Sequence, residues 1–192
     1  MKRRAFLTVG MVSVASLSGC LGDTEYRVSE AVSETSPEPL SISVRTAVSE
    51  AVIEHPAELV FSVENTSDEP VRIRSYGVWP FGVLSIASSS TPGENERRIT
   101  LTSPSYESTD RIRVSHGRSE ISLDGTPITR TLNPGEQVSS RYEVHGDDLW
   151  RADTYFVVDN FEHRASLYST NDEWMPLDYQ IRLTIDEKSL FR

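Results

Sequence analysis

Few side chains in this 192-residue sequence are of the types that make or break covalent bonds. There is one cysteine, Cys20, and the four histidines, His55, His116, His145 and His163, lie far apart in different segments. The sequence lacks a Gly-rich phosphate loop, a His-Glu-x-x-His pair and a Gly-x-Ser-x-Gly elbow. We therefore expect no catalytic residue, no metal site and no cofactor, although a Ser-His-Asp triad stays open because triads are assembled in three dimensions.

Cys20 stands at the end of a targeting segment. The segment begins with Lys2-Arg3-Arg4, continues as an uncharged run over residues 8–18 and ends at Gly19-Cys20. A positive start, an apolar stretch and small residues at the cut are typical of a secretory signal peptide. At 1.5 Å per helical residue the apolar run is too short for a bilayer core of ~30 Å. Residues 1–19 are therefore predicted to be a signal peptide rather than a lasting transmembrane helix.

Two details of this segment carry a family resemblance. Arg3-Arg4 followed by Phe6-Leu7 resembles the twin-arginine export motif, and Leu17-Ser18-Gly19-Cys20 resembles the lipobox of lipoproteins. The resemblance implies a lipid thioether on Cys20, since only a thiol supplies the nucleophilic sulfur. One acyl chain holds a protein only marginally, so two chains are implied. We expect the protein on the outer face of the cytoplasmic membrane, facing the exterior, with the membrane as a partner through lipid on Cys20.

The charge balance limits which other classes of partner are expected. The sequence has 29 acidic and 19 basic residues, and only Lys2 and Lys188 among the basic ones are lysines. Removal of the leader leaves 16 basic residues against all 29 acids. Nucleic-acid binding depends on a basic stripe that neutralises phosphates, so no nucleic-acid partner is expected. Acidic composition with arginine in place of lysine resembles the proteins of extreme halophiles, and with the leader it resembles a haloarchaeal-type twin-arginine-exported lipoprotein.

The rest of the chain divides into a tether and a domain. Residues 20–39 hold Glu30, Glu34 and Glu38 among serines, threonines and prolines. Such a segment buries too little apolar surface to offset the conformational entropy that is lost when it folds. It is therefore predicted to be a lipidated, disordered acidic tether. Residues 40–192 are predicted to be the folded domain.

Within residues 40–192, apolar side chains alternate with polar ones in segment after segment, which indicates half-buried antiparallel strands. The clearest case is residues 177–185. Turn signals separate the segments: Asn65-Thr66-Ser67-Asp68, Asp124-Gly125, which favours a tight hairpin, and Pro134-Gly135, which suits a type II turn. The prediction is an all-β antiparallel sandwich. The turn in residues 59–73 and Pro134-Gly135-Glu136 leading into Tyr142 resemble the immunoglobulin-like domains of microbial surface lipoproteins.

Three surface features allow two interpretations each. Asn65-Thr66-Ser67 fits N-glycosylation at Asn65, but it also fits a turn asparagine. Acidic residues that follow Val144 could bind calcium, but without EF-hand spacing they favour a solvated face. Aromatic residues favour the core, whereas Trp150 and Trp174 exposed on loops would favour a protein or glycan partner.

The leading hypothesis is a non-enzymatic binding or envelope-interaction module that is anchored by lipid and contacts a protein or glycan. The alternatives are a surface hydrolase with a loop-borne site and an immunoglobulin-like protease inhibitor that presents one rigid loop. A pocket with converging side chains would favour an enzyme, and a protruding loop would favour an inhibitor.

Overall fold

The structure is a computed structural model that describes residues 25–93, 96–115 and 120–188, apart from the side chain of Glu162. Fifteen strands lie in the described residues, together with short 3-10 helices at Pro104–Tyr106, Gly146–Asp148 and Glu162–Arg164. The strands are β1 (Tyr26–Thr35), β2 (Leu40–Val48), β3 (Glu50–Ala51), β4 (Ala57–Asn65), β5 (Val71–Tyr76), β6 (Leu84–Ala87), β7 (Ile99–Thr100), β8 (Ile112–Ser115), β9 (Glu120–Leu123), β10 (Pro127–Leu132), β11 (Gln137–Val144), β12 (Asp153–Asp159), β13 (Leu167–Ser169), β14 (Met175–Pro176) and β15 (Gln180–Glu187).

Antiparallel pairing joins these strands into sheets. The largest sheet, called sheet A here, has the order β3-β1-β15-β12-β6-β7. The others have the orders β10-β5-β13-β14 and β11-β4-β2, and β8 and β9 form a separate hairpin. The sheets pack on a shared apolar core, so the prediction of an all-β antiparallel sandwich is confirmed. Membership of the immunoglobulin-like class stays a prediction.

The strand pairs β4–β11 and β5–β10 belong to two different sheets and together form a ribbon that bends from one sheet into the other, called the corner-turning ribbon here. β4 pairs with β11 from Ala57 opposite Val144, and β5 pairs with β10 as far as Tyr76 opposite Pro127. At the corner, Gly135 N donates to Asn65 O at 2.9 Å. Gly135 has a φ of +70°, and Glu136 N closes the turn on Asn133 O at 2.9 Å. This geometry agrees with the type II turn that Pro134-Gly135 predicts.

The core is built from alternating inward positions, as period-two patterning requires. Phe61 on β4 contacts Tyr142 on β11 edge to face, with ring centroids 5.2 Å apart. Phe81 from the loop after β5 packs on the Phe61 ring, with centroids 6.0 Å apart. The Tyr142 hydroxyl donates to Gly82 O at 2.7 Å, which satisfies its one polar group. Ile181, Leu183 and Ile185 of β15 are buried as their alternation predicts.

The prediction of a disordered tether over residues 20–39 is wrong for residues 26–35, which form β1 between β3 and β15 in sheet A. β1 pairs with β15 from Tyr26 opposite Glu187 to Thr35 opposite Gln180, and Tyr26 and Val28 are buried. The acidic residues lie on the outer face, where Arg182 binds Glu30 at 2.9 Å and Glu34 at 2.7 Å. The local composition of residues 26–35 does not reveal this strand, because its pairing partner, β15, comes from the opposite end of the chain.

The prediction of a tight hairpin at Asp124-Gly125 is also wrong. β9, which precedes this dipeptide, pairs with β8, whereas β10, which follows it, pairs with β5. Asp124 and Gly125 therefore carry the chain from the β8–β9 hairpin to the corner-turning ribbon.

Candidate functional site

The histidines do not converge in the described part of the chain. His55 is exposed, with Nδ1 3.2 Å from Pro56 O, and His163 is exposed in the helix Glu162–Arg164. His145 is half-buried near the start of another 3-10 helix, and His116 lies outside the described residues. Residues 25–93, 96–115 and 120–188 contain no cluster of three His, Cys, Asp or Glu side chains that could hold a metal ion.

His145 lies beside a hydroxyl and a carboxylate, as a catalytic histidine would. Its Nε2 is 2.7 Å from Thr102 Oγ1 and 3.6 Å from Glu143 Oε2, and Thr102 Oγ1 is 2.9 Å from the same carboxylate oxygen. In a catalytic triad the carboxylate binds the ring nitrogen opposite the nucleophile. Here the Thr102 hydroxyl and the Glu143 carboxylate both lie near Nε2 of His145, where Thr102 forms an isolated β-bridge with Glu143 of β11. This geometry indicates a structural hydrogen-bond network rather than a catalytic triad.

The two tryptophans singled out by the sequence are half-buried and stacked against arginines. Arg74 Cζ lies 3.9 Å from the Trp174 ring centroid, and Arg97 Cζ lies 4.4 Å from that of Trp150. Each guanidinium covers an aromatic face and gains a cation–π contact. The rings are therefore partners of the protein's own side chains rather than open loop platforms.

Asn65 is part of the interior. Its side chain is fully buried, and Nδ2 donates to Glu69 O at 2.7 Å and to Leu132 O at 3.0 Å. Its Oδ1 accepts from Ser67 N at 3.0 Å and from Ser67 Oγ at 2.8 Å. Both amide hydrogens are thus used inside the fold, and the folded chain offers no accessible nitrogen for glycosylation. The turn interpretation fits this geometry, which argues against a glycan at Asn65.

A groove between the β8–β9 hairpin and the segment after β12 is the best candidate site. It is open to solvent, has a volume of about 760 Å³ and is called the β9 groove here. Basic, polar and apolar side chains meet in it, which is the usual mixture in a binding cleft. Its lining residues are Glu96, Arg98, Ile121, Ser122, Leu123, Asn160, Phe161, His163 and Arg164.

One wall of the β9 groove is β9 itself, seated on the end of β5. Ile112 and Leu123 of the hairpin close over Gly77, which has a φ of +77°. A Cβ atom at this position would lie 2.6 Å from Leu123 Cδ2 and 2.8 Å from Ile112 Cδ1. The hairpin can pack this closely on the backbone at the end of β5 because residue 77 has no side chain.

Gly77→Ala is expected to lower the free energy of unfolding by about 1–3 kcal/mol, because the methyl group adds a clash to a left-handed backbone. Chemical denaturation measures the loss. Gly93→Ala is the matched control, since a Cβ there meets nothing within 4 Å, and it is expected to change stability by less than about 0.5 kcal/mol. Equal losses in the two variants would contradict the proposed close packing.

The opposite wall begins where β12 ends. Asn160 is held by its main-chain N–H on Val83 O at 3.0 Å and by Thr100 Oγ1, which donates to its Oδ1 at 3.1 Å. Asp159 next to it is half-buried, and desolvation raises the pKa of its carboxyl to about 7, although a hydrogen bond from the Ser166 main chain opposes the shift. The charge of Asp159 adds to burial in raising the pKa of Tyr179.

Arg164 spans the two walls. Its Nη1 donates to Leu123 O at 3.0 Å, and its guanidinium lies 6.0 Å from the centroid of the Tyr76 ring. No carboxylate of the described residues forms a salt bridge with Arg164. Within the part of the chain that the structure describes, its guanidinium therefore faces a carbonyl dipole and an aromatic ring. Arg98 lines the same groove, so two arginines lie there with one acidic side chain, Glu96, in a protein that is acidic overall.

Sequence reasoning missed the β9 groove. Ile121 and Leu123 are identifiable from their alternation, but residues 159–164 show no local pattern that predicts a wall. The one available signal is Phe161 beside two basic residues, His163 and Arg164, in an otherwise acidic stretch.

Within the described residues, no helix has the length and apolar character needed to cross a membrane. A family model described as "Domain of unknown function (DUF8130)" matches residues 1–192. No curated protein and no solved structure matches the chain.

Proposed function

Because the chain belongs to the DUF8130 family, whose description assigns no activity, we propose a function from its own residues: a haloarchaeal-type lipoprotein, exported by the twin-arginine route, whose sandwich is a non-enzymatic binding module. Lipid on Cys20 holds it at the outer face of the cytoplasmic membrane. Its binding site is the β9 groove, which receives an acidic group of an envelope protein or glycan.

The anchoring proposal rests on Leu17-Ser18-Gly19-Cys20, and the short distance in sequence from Cys20 to the sandwich decides how close to the membrane the domain would lie. β1 begins at Tyr26, so only five residues separate the two. Five extended residues span at most about 18 Å. A lipid on Cys20 therefore keeps Tyr26, the first residue of β1 and the entry point of the sandwich, close to the bilayer surface. A long disordered tether would let the domain move away from that surface.

The strand register supports an outward-facing groove. Tyr26 lies opposite Glu187 at one end of β15, and β12 runs from Asp153, opposite Ile185, past Phe156, opposite Arg182. Asp159 and the β9 groove follow at the far end of β12. At about 3.4 Å per residue they lie roughly 25 Å along sheet A from the entry point. A groove there is reachable from the exterior while the anchor is in the membrane.

The charges favour an acidic ligand. Arg98 and Arg164 line the β9 groove together with Glu96, and Ile121, Leu123 and Phe161 supply apolar surface on its two walls. Guanidinium groups bind carboxylates with charge-assisted hydrogen bonds, and apolar walls strengthen these by excluding water.

The anchoring proposal is tested by Cys20→Ser. Since the hydroxyl cannot be lipidated, the variant is expected to move from the membrane fraction to the medium, with at least a tenfold drop in membrane-bound protein. Membrane fractionation and immunoblotting measure the distribution in a host with twin-arginine export. Ser16→Ala, which leaves Leu17-Ser18-Gly19-Cys20 intact, is the control and should stay bound. Full membrane retention of Cys20→Ser would disprove the anchor.

A further inference from the structure

Among the described residues, one edge of β9 has no partner strand. There β9 pairs only with β8, and the two form a sheet of their own. Asp124 N donates to Arg111 O at 2.8 Å, so these residues form a hydrogen-bonded pair at the base of the hairpin. Hydrogen-bonded and non-hydrogen-bonded pairs alternate along an antiparallel ladder. The main-chain groups of Ile121 and Leu123 therefore point away from β8.

That outward edge opens into the β9 groove. Ile121 and Leu123 both line it, and Leu123 O accepts from Arg164 Nη1 at 3.0 Å, as this alternation requires. The N–H and C=O of Ile121 and the N–H of Leu123 have no hydrogen-bond partner among the described residues. Unpaired main-chain groups on an accessible edge are a template for an added strand.

The groove also has the chemistry to select what is added. Arg164 stands at the Leu123 end of the edge without a carboxylate partner in the described chain, and Phe161 on the opposite wall offers an apolar surface. An incoming extended segment places alternate side chains toward the two walls. A carboxylate within such a segment reaches Arg164, and an apolar side chain reaches Phe161.

We propose that the β9 edge accepts an extended acidic polypeptide segment as an added strand, with a carboxylate of that segment bound by Arg164. This rests on the proposed binding function but not on lipidation, because the groove is formed by the folded domain alone. It also commits to a polypeptide rather than a glycan, since only a polypeptide supplies alternating N–H and C=O groups for Ile121 and Leu123.

The test uses the purified exported protein in detergent and four labelled peptides, with fluorescence anisotropy as the readout. The first peptide is Glu-Val-Thr-Val-Thr-Glu, the second and third are the same peptide with alternate backbone nitrogens methylated, one for each alternation, and the fourth has lysine in place of glutamate. The first is expected to bind, and the lysine peptide and the methylated peptide that loses the N–H groups facing β9 are expected to bind at least tenfold more weakly. On saturation, amide hydrogen exchange at Ile121 and Leu123 is expected to slow at least tenfold.

Arg164→Gln is expected to remove the preference for the acidic peptide over the lysine peptide and to keep the sensitivity to backbone methylation. Arg113→Gln is the matched control, because Arg113 is an exposed arginine of the neighbouring strand that does not line the groove, and it should behave as wild type. Equal melting temperatures establish that both variants are folded.

Three results would overturn the proposal. The proposal is refuted if the acidic peptide does not bind at concentrations up to 1 mM. Even an association of only about 4 kcal/mol is half-saturated at that concentration. If both methylated peptides bind as tightly as the unmodified acidic peptide, strand addition is excluded. Competition by an acidic oligosaccharide with unchanged exchange at Ile121 would assign the groove to a glycan. Each of these leaves the Cys20→Ser result, and with it the anchor, unaffected.

Discussion

Asp159→Asn is expected to raise the free energy of unfolding at pH 8 by as much as about 4 kcal/mol. Asp159 occupies an inward position at the end of β12, and burial raises the pKa of its carboxyl from 3.8 to about 7. The folded state thus holds the proton more tightly than the unfolded state does. The carboxyl adds no penalty below about pH 4, and its destabilising effect grows as the pH rises to about 7 and is complete above that. Asparagine has no charge to desolvate and keeps an oxygen that accepts from the Ser166 N–H.

The measurement is chemical denaturation at fixed ionic strength between pH 4 and pH 8. The wild type is expected to lose stability across this range, whereas the loss is much smaller in Asp159→Asn. Asp178→Asn, at an exposed position, is the charge-matched control and should follow the wild type. Parallel stability profiles for the wild type and Asp159→Asn would show that the carboxylate is already solvated in the folded chain.

Asn65→Ala is expected to lower the free energy of unfolding by about 3–4 kcal/mol. The substitution removes the two donors that satisfy Glu69 O and Leu132 O and the acceptor for Ser67. Each lost hydrogen bond costs about 1 kcal/mol, and a buried carbonyl left unsatisfied costs about 1–3 kcal/mol. Because these bonds join the end of β4 to β10, the corner of the ribbon is expected to loosen first.

Ser67→Ala separates this effect from glycosylation, because it destroys the same Asn-x-Ser pattern and keeps the Asn65 amide. It removes one hydroxyl that donates to Asn65 Oδ1 and Glu69 O, so its expected cost is about 1–1.5 kcal/mol. The comparison is made by denaturation of protein from a host without N-glycosylation, and intact mass of the native protein is expected to show no glycan at Asn65. Similar losses in both variants would contradict the structural role of the amide.

The features that the sequence predicts well are those that depend on neighbouring residues. The alternation of Ile181, Leu183 and Ile185 predicts one buried face of β15 because successive side chains of a strand point to opposite sides. Pro134-Gly135 predicts its turn because proline fixes φ and glycine accepts the positive φ that follows. The lone cysteine and the basic start of the leader lie outside the described residues, and the anchor that they suggest stays a prediction.

Several features escape prediction because their partners lie far away in the chain. The segment Tyr26–Thr35 resembles a tether in composition, and only β15, more than 140 residues later, makes it a strand. Asn65 fits a surface glycosylation pattern until Leu132 O, 67 residues away, accepts its amide. Asp159 resembles the other acidic residues around it, and only its inward position at the end of β12 changes its pKa.

The sequence by itself therefore determined the leader pattern, the acidic balance and the all-β class, since these follow from composition and from the period of side chains along a strand. Tertiary structure alone decided where the domain begins, which polar groups are buried and that β9, residues 159–164 and Arg164 enclose a groove. The physical reason is that burial and hydrogen bonding depend on which surfaces meet, and strands that meet, such as β1 and β15, can come from opposite ends of the chain.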